Sequence, residues 1–258
     1  ITPLTQFSLP FNDPIQVNEF DRRPFPPGAE GIAAAIKTAI QEALTGADLE
    51  PDALQSAALV LGTSSFLFAG EAQYRHILAS SGKSVLPALD PPGSVALRLA
   101  GELGIQGPVL TLSTACSSSA NALLVAKGLL QQGEARYALV IGVEGLSVGA
   151  LSGFHALMLL DPDGCRPFDA KRRGMQLGEG IGAVLLEAGG NGDQLLGGAN
   201  LCDTHHMTSA SPDGSAMRRV MEMALADAGL HPQDVTVIKA HGTGSLDNDT
   251  AEAAAMHS

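Results

Sequence analysis

Apolar positions along the chain recur with two different periods. Between Ala29 and Leu44, the residues Ile32, Ala35, Ile36, Ile40 and Leu44 follow helical spacing, and Gly46 suits the position just past a helix end. Ala57–Thr63 and Tyr137–Val143 are instead short continuous apolar runs, as expected of strands buried on both faces. Pro108–Leu112 and Gly180–Glu187 predict two further strands, and Leu195–Asp203 and Val235–Ala240 two more. Helices are expected at 69–80, from Val95 to Gly104, from the end of the Pro108 strand to Gln132 with Gly133 as its stop, over part of 148–160, and at 213–229 and 249–257. Asp161-Pro162-Asp163-Gly164 reads as a turn. Residues 1–28 are rich in Pro, and only Phe7–Leu9 and Ile15–Val17 alternate as short edge strands would.

Strand and helix alternate with a period of roughly 25–35 residues, the grammar of an α/β protein with a mostly parallel sheet covered on both faces. Gly189-Gly190-Asn191-Gly192-Asp193 is the most linker-like segment. It divides the chain into two unequal halves, 1–188 and 190–258, that share a strand–helix–strand pattern.

Composition narrows the class. Of 258 residues, 45% are hydrophobic and 16% charged, enough for a substantial core. The net charge of −12 argues against a nucleic-acid binder, which needs a basic stripe to neutralise phosphates. Three widely spaced cysteines form neither a disulfide framework nor a zinc pattern, and they fit a reducing cytoplasm. No apolar run approaches the roughly 18 residues of a membrane span. No signal peptide is visible at Ile1-Thr2-Pro3-Leu4.

Two stretches carry candidate chemistry. In Pro108–Leu124 a short β-forming run turns into an Ala/Leu-rich helix, with Cys116 at the junction. A thiol at a helix N-terminus faces unpaired N–H groups and the positive end of the dipole, both of which favour the reactive thiolate. A lone cysteine is more often an inert core residue. The second stretch, Lys239-Ala240-His241-Gly242-Thr243-Gly244-Ser245, puts a histidine at the end of a predicted strand, where functional loops of α/β sheets gather. An isolated His-Gly pair favours a structural turn. Together, Cys116 and His241 fit a nucleophile with a spatially adjacent histidine.

In company, these motifs resemble a known family. Thr114-Ala115-Cys116-Ser117-Ser118-Ser119 before an Ala-rich helix is the first of them. Arg166-Pro167-Phe168-Asp169 leading to Gly178-Glu179-Gly180-Ile181-Gly182 is the second. Asp203-Thr204-His205-His206-Met207-Thr208-Ser209 and His241-Gly242-Thr243-Gly244-Ser245 with Asp249 and Glu252 complete the set. In order and spacing they are similar to the β-ketoacyl-[acyl carrier protein] synthases, condensing enzymes of the thiolase superfamily. The resemblance covers roughly residues 29–258. It implies a thiolase-like fold of layered α-β-α-β-α type, with the second half incomplete in these residues. It implies a cytoplasmic enzyme of fatty-acid or polyketide synthesis, paired as a homodimer or with another synthase chain. The substrates would ride on the phosphopantetheine of acyl carrier protein, with no separate cofactor and no metal. Cys116 would accept an acyl group, and its backbone N–H would form half of an oxyanion hole. His241 would stabilise the enolate formed as a malonyl thioester loses CO₂. Thr208, Thr243 and Ser245 match positions that contact the phosphopantetheine arm, and Phe154 an apolar position near the acyl pocket.

The sequence also departs from the family. A Lys…Gly-His segment with the second histidine, and a Gly-Phe-Gly loop with the other oxyanion N–H, do not occur in it. The residues are then part of a longer chain, a truncated relative, or a protein completed by a partner. A non-catalytic, chain-length-factor-like role that shapes another synthase is the alternative. Without its closing strands the second half would leave a sheet edge and apolar surface open.

Other motifs are bland. Gly178–Gly182 leads into a strand rather than out of one, so it is no dinucleotide fingerprint, and Glu179 is expected as an internal hydrogen-bonding carboxylate. His205 and His206 would point apart on a strand, which disfavours a shared metal. Cys165 and Cys202 are expected to be structural. Lys171, Arg172 and Arg173 read as solvated loop charge, with carrier-protein docking as a minority use.

Overall fold

The computed structural model describes residues 2–3, 16–17, 29–47, 49–50, 52–64, 93–206 and 209–257. They fall into two compact units, one of residues 19–151 and 178–192, the other of residues 1–18, 152–177 and 193–258.

The first unit is built on a four-stranded sheet. Its strands are β3 (Ala58–Gly62), β4 (Val109–Leu112), β5 (Tyr137–Glu144) and β6 (Gly180–Glu187), in the spatial order β4-β3-β5-β6. β3 runs parallel to both β4 and β5, and β6 closes the row antiparallel to β5. Parallel neighbours need crossovers, and helices supply them: α2 (Gly93–Leu103) precedes β4, and α3 (Ser118–Gln131) joins β4 to β5. α1 (Ala29–Leu44) has the spacing read from its sequence.

Alternation along the strands sorts the core into two layers. Leu59 and Leu61 of β3 and Leu139, Ile141 and Val143 of β5 pack with Ile32, Ile36 and Ile40 of α1 and Ala96, Leu99 and Ala100 of α2. The opposite face carries Ala58, Val60, Ala138 and Val140, against Ala122 and Ala126 of α3. The alanine-rich face lets α3 lie close to the sheet.

Closest approach falls at a row of glycines. Gly62 pairs with Gly142, and Gly142 with Gly182, so the three share one level and one face of the sheet. A Cβ on Gly62 would stand 2.6 Å from the carbonyl oxygen of Ser118 and 2.8 Å from the Cα of Ser119. On Gly142 it would meet Ser119 Oγ at 2.5 Å, while on Gly182 it would meet nothing within 4 Å. The first turn of α3 therefore rests on bare backbone, and that turn carries Cys116 at its entrance.

In the second unit, β1 (Thr2–Pro3) pairs antiparallel with β2 (Gln16–Val17). The unit's helices are α5 (Ser215–Ala228) and α6 (Leu246–Met256), with a 3₁₀ turn at Pro232–Asp234. α4 (Val148–Ala156) spans the division between the units. Residues 152–177 go with the later segment, across the division expected at 188–190, because they pack against the loop that follows residue 240.

Two expectations are corrected. Leu195–Asp203 and Val235–Ala240 are extended in sequence pattern, but neither forms a strand among the described residues. Val237 is 81% exposed and Ile238 54%, and Leu195, Leu196 and Leu201 are exposed too. Strand-forming composition makes a strand only where a neighbour accepts the ladder, and none of the described strands pairs with these segments. The expected helix at 69–80 and the edge strand at 7–9 lie outside the described residues.

Gly62→Ala is expected to destabilise the chain by about 1–3 kcal/mol, because its methyl meets backbone that must move. Gly142→Ala should cost less, since the Ser119 hydroxyl can turn aside, and Gly182→Ala should stay within about 0.5 kcal/mol of the native chain. Urea unfolding of the three variants checks the order.

Candidate functional site

Cys116 stands where β4 turns into α3, and it is exposed. The turn requires Ala115 at φ +53°, a left-handed conformation that costs an L-residue about 1–2 kcal/mol. Local hydrogen bonds hold it. The buried Ser118 hydroxyl donates to the Ala115 carbonyl at 2.6 Å and accepts the Thr114 N–H at 2.8 Å, spanning the strained residue. The Ser117 hydroxyl donates back to the Thr114 carbonyl at 2.8 Å. Asn121, also buried, donates from Nδ2 to Thr114 Oγ1 at 2.8 Å and lies 3.2 Å from Ser117 Oγ. Sequence reading passed over Asn121 as one residue of an Ala-rich helix. Its signal was a polar residue on the buried helical face beside Ala122.

Two carboxylates, those of Glu144 and Glu179, brace the same unit. Glu144 accepts the Ser64 N–H at 2.8 Å, and Glu179 accepts the Leu146 N–H at 3.1 Å, the internal role expected of Glu179.

His241 lies in the other unit, on a loop held from α6. Asp249 and Glu252 stand three residues apart, on one helical face, and both are buried. Glu252 accepts the N–H of His241 at 2.6 Å and that of Gly242 at 2.9 Å. Asp249 accepts the N–H of Gly244 at 3.1 Å and that of Phe168 at 2.7 Å. The loop takes left-handed conformations at Gly242 (φ +56°) and Gly244 (φ +75°). A Cβ on Gly244 would also stand 2.6 Å from the Gly174 carbonyl and 3.1 Å from Cys165 Sγ, so glycine is required twice over. Thr243 Oγ1 and Ser245 Oγ lie 2.9 Å apart, and both side chains are half-buried.

The segment 159–175 wraps this loop. Cys165 donates its S–H to the Thr243 carbonyl at 3.2 Å. Burial pushes its thiol up, Asp249 and Asp161 push in the same direction, and the Gln176 N–H opposes them. Cys165 is structural, as expected; Cys202, expected to be structural too, is exposed. Of the basic cluster, Lys171 and Arg173 are exposed as expected, but Arg172 is not the solvated charge expected of it. Arg172 is largely covered, lies 3.5 Å from Asp249, and donates to the carbonyls of Ser245 and Leu246 and to Thr250 Oγ1. Arg166 and Arg173 both reach Asp161, and Arg173 also pairs with Asp163. Burial alone would raise the Asp161 carboxyl, but the Asp163 N–H and the two guanidiniums outweigh it and hold it below the usual range. These long-range partners leave no periodic trace in a sequence.

Phe154, half-buried, lies on α4 in the second unit with His241, Thr243 and Ser245; Thr208 lies outside the described residues. Cys116 belongs to the first unit. Near 208, Asp203 accepts the N–H groups of His205 and Ser211, which keep its carboxyl low. A cavity of about 360 Å³ is lined there by Leu201, Asp203, His206, Met217 and Val220. Among the described residues no group of His, Cys, Asp or Glu is arranged to hold a metal, and no helix is long and apolar enough to cross a membrane.

Comparison with known proteins identifies the family. Residues 32–190 match the family model of the β-ketoacyl synthase N-terminal domain, and residues 194–258 that of the C-terminal domain. Nodulation protein E of Rhizobium meliloti is 36% identical over 201 residues, 73% of this chain and 49% of that protein. The chloroplastic 3-oxoacyl-[acyl-carrier-protein] synthase I of Hordeum vulgare is 35% identical over 184 residues, 66% of this chain and 39% of that one. The chain thus spans about half the length, or less, of these relatives. Among solved structures, the ketosynthase ApeO in complex with its chain length factor ApeC, from Xenorhabdus doucetiae, is similar at a TM-score of 0.77 and 28% identity, over 97% of this chain and 66% of that one. The AntDE:AntF structure, a type II PKS acyl-carrier protein in complex with its ketosynthase, is similar at a TM-score of 0.76 and 26% identity, over 87% of this chain and 62% of that one. The fold is the thiolase-like fold of the ketosynthases.

Glu252→Gln keeps one acceptor but turns an amide N–H toward a backbone N–H. It is expected to cost about 1–3 kcal/mol and to speed hydrogen exchange at His241 and Gly242, read by urea unfolding and exchange mass spectrometry. Asp161 gives a pH test. Its folded pKa lies below the ordinary 3.8, so the unfolded chain binds the proton first. The stability it contributes is complete above that value and is lost as pH falls through the lower, folded one. Thermal unfolding between pH 5 and pH 2 should therefore fall less steeply in Asp161→Asn than in the native chain.

Proposed function

The chain belongs to the β-ketoacyl synthase family, and we propose on that basis that it acts by acyl transfer to Cys116 followed by decarboxylative condensation. The observation that carries the reading is the exposed thiol at a strained strand-to-helix turn, with the N-terminus of α3 beside it. The Cys116 thiolate attacks the carbonyl of an acyl thioester, and the thiolate of the donor leaves with the proton. A malonyl thioester then loses CO₂, the resulting enolate carbon attacks the acyl-Cys116 carbonyl, and the cysteine thiolate departs. Negative charge builds on oxygen in each step, which calls for donors already in place. The Cys116 N–H serves the first oxyanion and His241 the enolate. The two carboxylates behind the His241 loop support this assignment, because they leave little freedom for its backbone. Thr243 and Ser245 offer paired hydroxyls to a phosphopantetheine arm, and Thr208 and Phe154 line the arm and the acyl chain. The substrates come on acyl carrier protein in the cytoplasm, in fatty-acid or polyketide synthesis. The reading calls for no resident cofactor or metal.

Ketosynthases are solved with a chain length factor or a carrier protein among the similar structures. We extend such partners to this chain, as a homodimer or as a pair with a second synthase chain. The exposed apolar residues of 195–201 and 235–238 favour a second reading, in which the chain completes or shapes another synthase without turning over itself. Retention of Cys116 and His241 favours the first, since a scaffold has no chemical need of either.

Incubation with an octanoyl-carrier thioester, followed by digestion and mass analysis, separates the two. An acyl mass on the Cys116 peptide, lost in Cys116→Ala, is the expected result. An unmodified Cys116 in a chain that forms a stable complex with another synthase would select the second reading.

A further inference from the structure

Asn121 is a costly choice at its position. It sits within α3, where a carboxamide is a poor helix former, and it is buried on a face otherwise made of Ser118, Ala122 and Ala126. An apolar side chain would satisfy the packing there without the burden of burying polar atoms. What the carboxamide does is reach back toward the start of the helix. Its Nδ2 meets the hydroxyls of Thr114 and Ser117, at 2.8 and 3.2 Å, two residues before the thiol and one after it. Both hydroxyl-bearing residues are exposed and open to exchange of these bonds for water. The residue at the usual capping position, Ser117, makes no side-chain cap within the helix, so the entrance of α3 is held by the bonds of Asn121 together with those of the Ser117 and Ser118 hydroxyls.

We infer that Asn121 is a positioning residue for Cys116. It fastens both flanks of the thiol to the buried side of α3 and, beside the Ser118 bonds that span Ala115, keeps the sulfur at the helix N-terminus. The inference rests on the role proposed for Cys116, but it concerns the state of the thiol rather than acyl transfer. When the tie is cut, the hydroxyls of Thr114 and Ser117 keep only the bonds between those two residues, the turn loosens, and the sulfur spends less time at the positive end of the helix dipole, which favours the thiolate.

Alkylation of the whole chain with iodoacetamide between pH 6 and pH 9, followed peptide by peptide by mass, tests this. Asn121→Leu preserves bulk and removes the donor. Its Cys116 should react at least about threefold more slowly at pH 7, with the profile moved to higher pH, while exposed Cys202 reacts as in the native chain. Asn121→Gln, which keeps a carboxamide, should restore part of the native profile. Should Asn121→Leu fail to fold, Asn121→Ala takes its place with the same expectation. An unmoved Cys116 profile, a faster Cys116, or equal slowing at Cys116 and Cys202 would overturn the inference. Failure of acyl transfer to the native chain would overturn the proposed function and leave this profile intact.

Discussion

Two carboxylates one helical turn apart organise the second unit. Asp249 and Glu252 of α6 between them accept four backbone N–H groups, from His241, Gly242, Gly244 and Phe168. Backbone donors to a charged acceptor make stronger bonds than neutral pairs, and here they also satisfy charges that burial would otherwise penalise. The two left-handed glycines, the Cys165 contact and the Arg172 anchorage all presuppose that the loop is already pinned from this side. A sequence change in α6 that leaves His241 itself untouched would therefore still reach it.

The cysteine turn is held by different physics. Its ties are neutral hydroxyls and one carboxamide, made over a few residues, and the helix they start is pressed onto a sheet stripped of side chains at Gly62 and Gly142. A carboxylate would serve badly beside a thiol, because its negative charge disfavours the thiolate. The cysteine turn is thus positioned by close packing and neutral hydrogen bonds, the His241 loop by buried carboxylates.

How much of this was legible depended on range. α1, β3, β5 and β6 follow from periodicity and apolar runs, because each pattern is repeated within a few residues. Cys116 and His241 were legible as motifs whose neighbours are small or hydroxylated. Arg172 was misread as solvated charge because its partners, Leu246 and Thr250, lie at distances no local pattern registers. Asn121 was overlooked because an Ala-rich helix hides a polar exception. The segments 195–203 and 235–240 were read as strands on composition, which reports readiness to pair and says nothing of a partner's presence.

That readiness has a colloidal side. Val235, Val237 and Ile238 carry strand-forming side chains into water beside Lys239, the one charge in the run Val235–Ala240. Such a run attracts any other extended chain, including its own copies, and lysine is the common guard against that. Concentrated solutions of these residues would drift toward aggregation through this segment first, and the single ammonium of Lys239 sets how much salt they tolerate before its repulsion is screened away.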